Sequence, residues 1–273
     1  MRHAIGSKDI FAANRAAGRV ALSVAAQSGR SRRRRVYEDG PLRVRFPHGA
    51  GTQLEAVIVN TAGGIAGGDR HVIDITVGEN AAVAVTTAAA EKVYRTLGPA
   101  AEIGVTLAAD RGARVVWLPQ ETILFDRAHL ARRIEVALAA DASLLMAEAV
   151  VYGRAAMGET VVQGAFADRW RVRRDGRLIF AEATKIDGAV AARLAQPAAG
   201  GGANAFATVL AVPGDAMMVE RVRAQGFAGE VGASAWNGIA AARLCAKDGA
   251  TLRADLAAVI AAFGGVLPRL WLN

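Results

Sequence analysis

Three stretches of this chain repeat one pattern, and that repeat limits the fold more than any other feature. ITVGENAAVAVTT from Ile75, VTLAADRGARVVWLP from Val105 and VALAADASLLMAEAV from Val136 share it. Each reads as an alternating strand, a short polar turn ending in a small residue, and a second apolar strand. Aligned on Val77, Leu107 and Leu138, they recur at about 30 residues, the spacing of stacked units. Such a unit cannot bury its apolar face alone, and stacking its neighbours on it makes one continuous core. The fold expected is mainly β: β-helix-like stacked strands with a few short helices, including a C-terminal helix. The 273 residues are read as a single domain over 1–273, with a loose arm at 1–17 and a flexible linker at 197–204.

The flanks of the repeat carry further strand signals. Gly18 to Ala26, Pro41 to Phe46 and Leu54 to Val59 alternate or run apolar. Between the first two lies SGRSRRRR, Ser28 to Arg35, read as a solvated hairpin loop. Asn60 to Thr96 holds two glycine pairs, Gly63-Gly64 and Gly67-Gly68, followed by Asp69. Paired glycines mark a sharply bent backbone or a close approach to it, and Asp69 is placed by that turn. Asp175-Gly176 is a two-residue hairpin signal. It predicts Val172 opposite Ile179 and Arg173 opposite Leu178, with Trp170, Val172, Ile179 and Ala181 on one face. Ala205 to Val212 reads as a strand, Asp215 to Gln225 as a helix, and the region around Trp236 to Ala246 as a strand. Leu252, Leu256, Val259, Ile260 and Phe263 share one helical face, ended by Gly264-Gly265.

Composition and motifs exclude several classes of function. Cys245 is the only cysteine, so neither an internal disulfide nor a thiolate zinc site is available. No apolar stretch is long enough to span a bilayer, and the N-terminal residues lack a signal-peptide core. A cytoplasmic location is the expectation. The net charge is +8 and comes almost wholly from arginine, which raises nucleic acid and acidic proteins as partners. The glycine turn is neither a P-loop nor a dinucleotide fingerprint, because no Gly-Lys-Ser/Thr follows and a strand comes next. No Gly-x-Ser-x-Gly elbow is present. His3, His48, His71 and His129 offer no chelating spacing.

Two carboxylates stand out against their surroundings. Glu148 in LLMAEAVVY and Glu182 in LIFAEATKI are flanked by apolar residues within expected strands. An ionised carboxylate there needs a partner or water. One reading is an ion pair with an arginine. The other is a polar path lined by oxygen ligands, to which Asp69 also belongs. Carboxylates without thiolates or paired histidines hold a borderline divalent ion weakly, which suits passing it on.

The run NTAGGIAGGDRHVIDITVGENAAVAVTTAAAEKVYRT closely resembles the signature of the UreD (also UreH) family of urease accessory proteins. The likeness continues through LPQETILFDRAHLARRIEV, LLMAEAVVYGRAAMGE and DRWRVRRDGRLIFAEATKIDG. It returns in GASAWNGIAAARL and the terminal LPRLW. The resemblance implies a β-helical, non-enzymatic maturation factor. It implies binding to urease apoprotein and to UreF, and through UreF to the nickel-carrying GTPase UreG. The assembly delivers nickel to an active site with a carbamylated lysine. No cofactor is implied beyond Ni2+ in transit, through a water-filled tunnel lined partly by acids. Asp69 of the GGD turn, Glu148 of AEAVVYGR and Glu182 of FAEA match it by motif position as metal-path residues. The alternative is a basic β-rich nucleic-acid-binding protein. It requires stacking aromatics beside the basic groups, and only Tyr37 follows the arginine run.

Overall fold

A computed structural model describes residues 15–47, 51–154 and 157–272. Most of the expected loose arm, His3 and His48 therefore lie outside the described residues. The chain opens with β1 (Ala17–Gln27), β2 (Arg30–Asp39), β3 (Leu42–Arg45), β4 (Leu54–Asn60), β5 (Arg70–Val77), β6 (Ala82–Thr87) and β7 (Glu91–Val93). The middle holds β8 (Ala101–Ala109), β9 (Arg114–Trp117), β10 (Thr122–Leu124), β11 (His129–Leu138), β12 (Ser143–Tyr152), β13 (Gln163–Arg174) and β14 (Arg177–Ala189). Helix α1 (Val190–Leu194), β15 (Ala205–Val212), α2 (Ala216–Arg223), β16 (Glu230–Trp236), β17 (Ile239–Ala246) and α3 (Gly249–Ala262) complete it.

The strands stack as a solenoid in two sheets. One sheet runs β14-β13-β11-β8-β5-β1-β2, and its five middle strands are parallel. The other runs β16-β17-β15-β12-β9-β6-β4-β3, with β4, β6, β9 and β12 parallel. Each repeat contributes one strand to each sheet. The turn between them closes identically in all three: Ala81, Ala113 and Ala142 N–H donate to the Gly78, Asp110 and Ala139 carbonyls at 3.1 Å. The repeat is therefore real, but one position is corrected. Val77 and Leu138 both pair with Ala109, while Leu107 pairs with Ile75 and Val136. A slip of two residues keeps every side chain on its face, so the apolar pattern cannot detect it.

The inner faces of the two sheets enclose one apolar cluster, including Leu22, Ile75, Leu107, Ile134, Met146 and Trp170. A second cluster packs the outer face of the second sheet against α3, through Leu252, Leu256, Val259 and Ile260. With both faces covered, β12 is buried along nearly its whole length, as its unbroken apolar run requires. A third cluster caps the other end of the inner face, with Leu130, Val150 and Phe166.

Four local readings change. The turn at Ser28-Gly29 is only two residues, and Arg32 to Arg35 lie exposed in β2 rather than in a loop. The C-terminal strand is half of a hairpin, β16–β17, turned at Asn237-Gly238 with φ of 48° and 75°. That Asn-Gly pair is itself a strong hairpin signal. Gly200 and Gly201 N–H donate to the Gln196 carbonyl at 3.0 Å, so the glycine segment from 197 is a hydrogen-bonded turn. Finally, Arg173 faces Leu178 as expected, but a bulge then pairs Val172 with Phe180. The extra residue turns the return strand over. Phe180, not Ile179, joins Trp170, with ring centroids 6.4 Å apart. Among the described residues no helix is long and apolar enough to cross a membrane.

Candidate functional site

The bulge has a consequence two residues further on, where it places Glu182 opposite Trp170 on the inner face. Without it Glu182 would point outward. Asp168 and Trp170 alternate inward on β13, as do Arg132 and Ile134 on β11 and Met146 and Glu148 on β12. Arg132, Glu148 and Asp168 thus form a polar layer between the central apolar cluster and the capping one. Their exposures are 6%, 5% and 7%.

Within that layer the Arg132 guanidinium bridges both acids. Its Nε and Nη2 donate to Asp168 Oδ1 and Oδ2 at 3.1 and 2.6 Å, and its Nη1 donates to Glu148 Oε2. Glu148 Oε1 accepts from Trp117 Nε1 at 2.7 Å, and Asp168 Oδ2 accepts from Trp170 Nε1 at 3.0 Å. The Arg132 side chain also packs over the Phe166 ring at 5.7 Å. One cation serves two carboxylates, so ionising both leaves an excess negative charge in an apolar setting. Asp168 takes the two-pronged contact. Burial pushes the Glu148 carboxyl up to about 7, against the pull of Arg132.

A cavity of about 380 Å³ opens onto this layer, with Arg132, Glu148, Asp168 and Glu182 in its wall and Arg193 and Arg243 also lining it. Glu182 Oε2 accepts from Arg243 Nη2 at 2.8 Å. The Arg243 side chain is largely exposed and the Glu182 side chain mostly covered. Its lining therefore combines an exposed cation, a mostly covered carboxylate and a buried one. Glu148 and Glu182 both line this cavity, and both are ion-paired. Asp69 does not share that wall. Its two oxygens accept from Ala16 N at 2.8 Å and Ala66 N at 2.7 Å, pinning the start of β1 to the glycine turn. The glycines there serve the chain itself: a side chain at Gly64 would strike the Tyr94 ring, and one at Gly67 the Thr96 side chain.

Arg132, Asp168 and Trp117 escaped the sequence reading. A signal existed: Arg132 has the strand parity of Leu130 and Ile134, and Asp168 that of Phe166 and Trp170. Among the described residues no group of three acids, histidines or cysteines is placed to hold a metal ion. The acids of the layer are occupied by a guanidinium and two indoles. That donor set does not fit a resident metal.

The family model described as UreD urease accessory protein matches residues 16–272. The curated "Urease accessory protein UreD" of Rhodopseudomonas palustris (strain BisB18) is 57% identical over 267 residues, 97% of this chain and 96% of that protein. The protein of the same name from Rhodopseudomonas palustris (strain BisA53) is 55% identical, covering 97% of this chain and 93% of that relative. That of Bradyrhizobium diazoefficiens (strain USDA 110 among its synonyms) is 54% identical, with 98% of each covered.

Proposed function

The chain belongs to the UreD family of urease accessory proteins, and from that membership we propose that it is a non-catalytic scaffold for nickel insertion into urease. The observation that carries this is the family match over residues 16–272, nearly the whole chain. Its part is to bind urease apoprotein in the cytoplasm together with UreF, and through UreF the GTPase UreG. Nickel is the cargo of this assembly rather than a resident cofactor, in keeping with a layer whose acids are already engaged.

The cavity supplies the chemistry of passage. Glu182, near the solvated Arg243, offers a carboxylate oxygen at the outer part of the wall. Glu148 offers another at the buried end, once its bond to Arg132 is released. Two separated monodentate acids hold a divalent cation weakly and let it go. Asp69 enters this proposal only as the residue that holds the glycine turn in shape.

The test is co-purification of urease subunits, UreF and UreG with the tagged chain, followed by nickel analysis of the recovered urease. Wild-type protein should recover the partners and support loading. Glu148→Gln and Glu182→Gln should recover the same partners with less nickel on urease. Loss of every partner from folded protein would refute the scaffold role. Normal loading by both variants would refute the path through these acids.

A further inference from the structure

The outer face of the first sheet carries a second feature, distinct from the inner cavity. A groove of about 610 Å³ crosses its strands from β5 to β14. Its uncharged lining includes Val72, Gly104, Ala131, Ala167 and Ala183. Arg70, Arg133, Arg169 and Lys185 are among its lining too. All four basic residues are exposed. Beyond the buried Asp168, already taken by Arg132, the one acid in the lining among the described residues is Glu102.

The charges in the groove are arranged unlike those beside it. Next to it on the same face, Arg19 pairs with Asp74 at 2.8 Å and Arg173 with Glu135 at 3.3 Å. Within the groove, no ion pair engages Arg70, Arg133, Arg169 or Lys185 among the described residues. Arg133 and Arg169 stand directly opposite one another on β11 and β13. Like charges so placed disfavour the sheet, and an anionic partner relieves that repulsion.

Gly104 is an independent sign. It lies within β8, opposite Val72 and Arg133. Glycine weakens a strand interior and often marks a bulge, a tight bend or a close approach of another backbone. Among the described residues nothing lies within 4 Å of where a side chain at Gly104 would begin, and its φ is not in the left-handed region. No described residue requires glycine there, in contrast to Gly64 and Gly67. The space above it is open to a segment from outside.

We propose that this groove docks an acidic, extended segment of a protein partner, its backbone lying over Gly104 and its carboxylates meeting Arg133, Arg169, Arg70 and Lys185. Five strands at their usual spacing give a track about 19 Å long. That length accepts about six extended residues. Among the described residues no aromatic side chain lines the groove, and a single-stranded nucleic-acid site needs such a stacking platform. The inference is independent of the nickel path.

Fluorescence anisotropy of a labelled, capped ten-residue peptide alternating glutamate and serine tests it, using the full chain. Wild type should bind. Arg133→Glu with Arg169→Glu should weaken binding by about tenfold or more, by turning complementary charge into repulsion. Gly104→Val, which leaves the charge untouched, should also weaken it by about tenfold while melting no lower than wild type, since valine favours strands. Arg32→Glu with Arg35→Glu, the same charge change on β2, should leave affinity within about twofold if the binding is local. Failure of wild type to bind, equal loss in the β2 variant, or full binding by folded Gly104→Val would overturn the proposal. So would tighter binding of a ten-nucleotide deoxythymidine strand than of the peptide. If Gly104→Val does not fold, the two charge-reversal pairs still decide between a local groove and net charge.

Discussion

Arg132 is the residue on which the inner layer depends. It is the single cation between two buried acids. Arg132→Met should destabilise the protein by about 3–5 kcal/mol at neutral pH, because two buried carboxylates lose their partner. Urea unfolding measures this, and a loss below about 1 kcal/mol would mean the layer is wetter than its burial indicates. Glu148→Gln tests the other side of the balance. The amide oxygen can still accept from Trp117, and Arg132 keeps Asp168. Glu148 titrates at about 7 in the folded chain against an ordinary 4.5, so the folded state holds its proton more tightly. A raised acid pKa makes stability fall as pH rises from about 4.5 to 7 and level off above. The difference in unfolding free energy between wild type and Glu148→Gln should therefore shift against wild type across that window. A difference independent of pH would show that folding leaves the Glu148 pKa unchanged.

At the scale of strands and turns, the bulge in the β13–β14 hairpin decides which residues face inward. Phe180 is buried and Leu178 is 46% exposed. Phe180→Ala should cost about 3–5 kcal/mol through lost burial and a residual cavity. Leu178→Ala should change stability by no more than about 0.5 kcal/mol, as surface substitutions do. Comparable losses at both sites would contradict the bulge. This hairpin also shows what the sequence could and could not reveal. Its turn was legible because Asp175-Gly176 is local chemistry. Its register was not, because an extra residue in a ladder leaves no local trace. The stacked repeat and the terminal helix were legible for a related reason, as period and parity report which face is apolar. Glu148 was conspicuous as an acid in an apolar run. Its partner Arg132 looked like one more surface arginine in a chain rich in them, and only counting strand parity distinguishes it. Asp69 was legible as a turn residue. Its separation from the cavity is a matter of tertiary placement, which residue type does not encode.

At the scale of the whole molecule, a stack of repeats with only neighbouring contacts tends to unfold piecemeal. This chain counters that tendency at its C-terminus. Helix α3 covers the second sheet, and the short 3-10 turn at Arg269–Leu272 returns Trp271 to the strands. Trp271 Nε1 donates to the Leu118 carbonyl at 3.0 Å and to Thr86 Oγ1 at 3.3 Å. Arg253 of α3 stacks over the indole at 4.9 Å and donates to both oxygens of Glu121, at 2.9 and 3.1 Å. One side chain thereby links the last turn, the last helix and the strand ends of two successive repeats. Trp271→Ala should remove about 3–5 kcal/mol of packing. It should also uncouple the cap from the stack. Far-UV circular dichroism and the fluorescence of the remaining tryptophans follow different parts of the molecule. Their urea transitions should coincide in wild type and separate in Trp271→Ala, since coincident probes mark all-or-none unfolding. If the transitions stay superimposed while the midpoint falls, the sheets cohere without the cap, and Trp271 contributes packing alone.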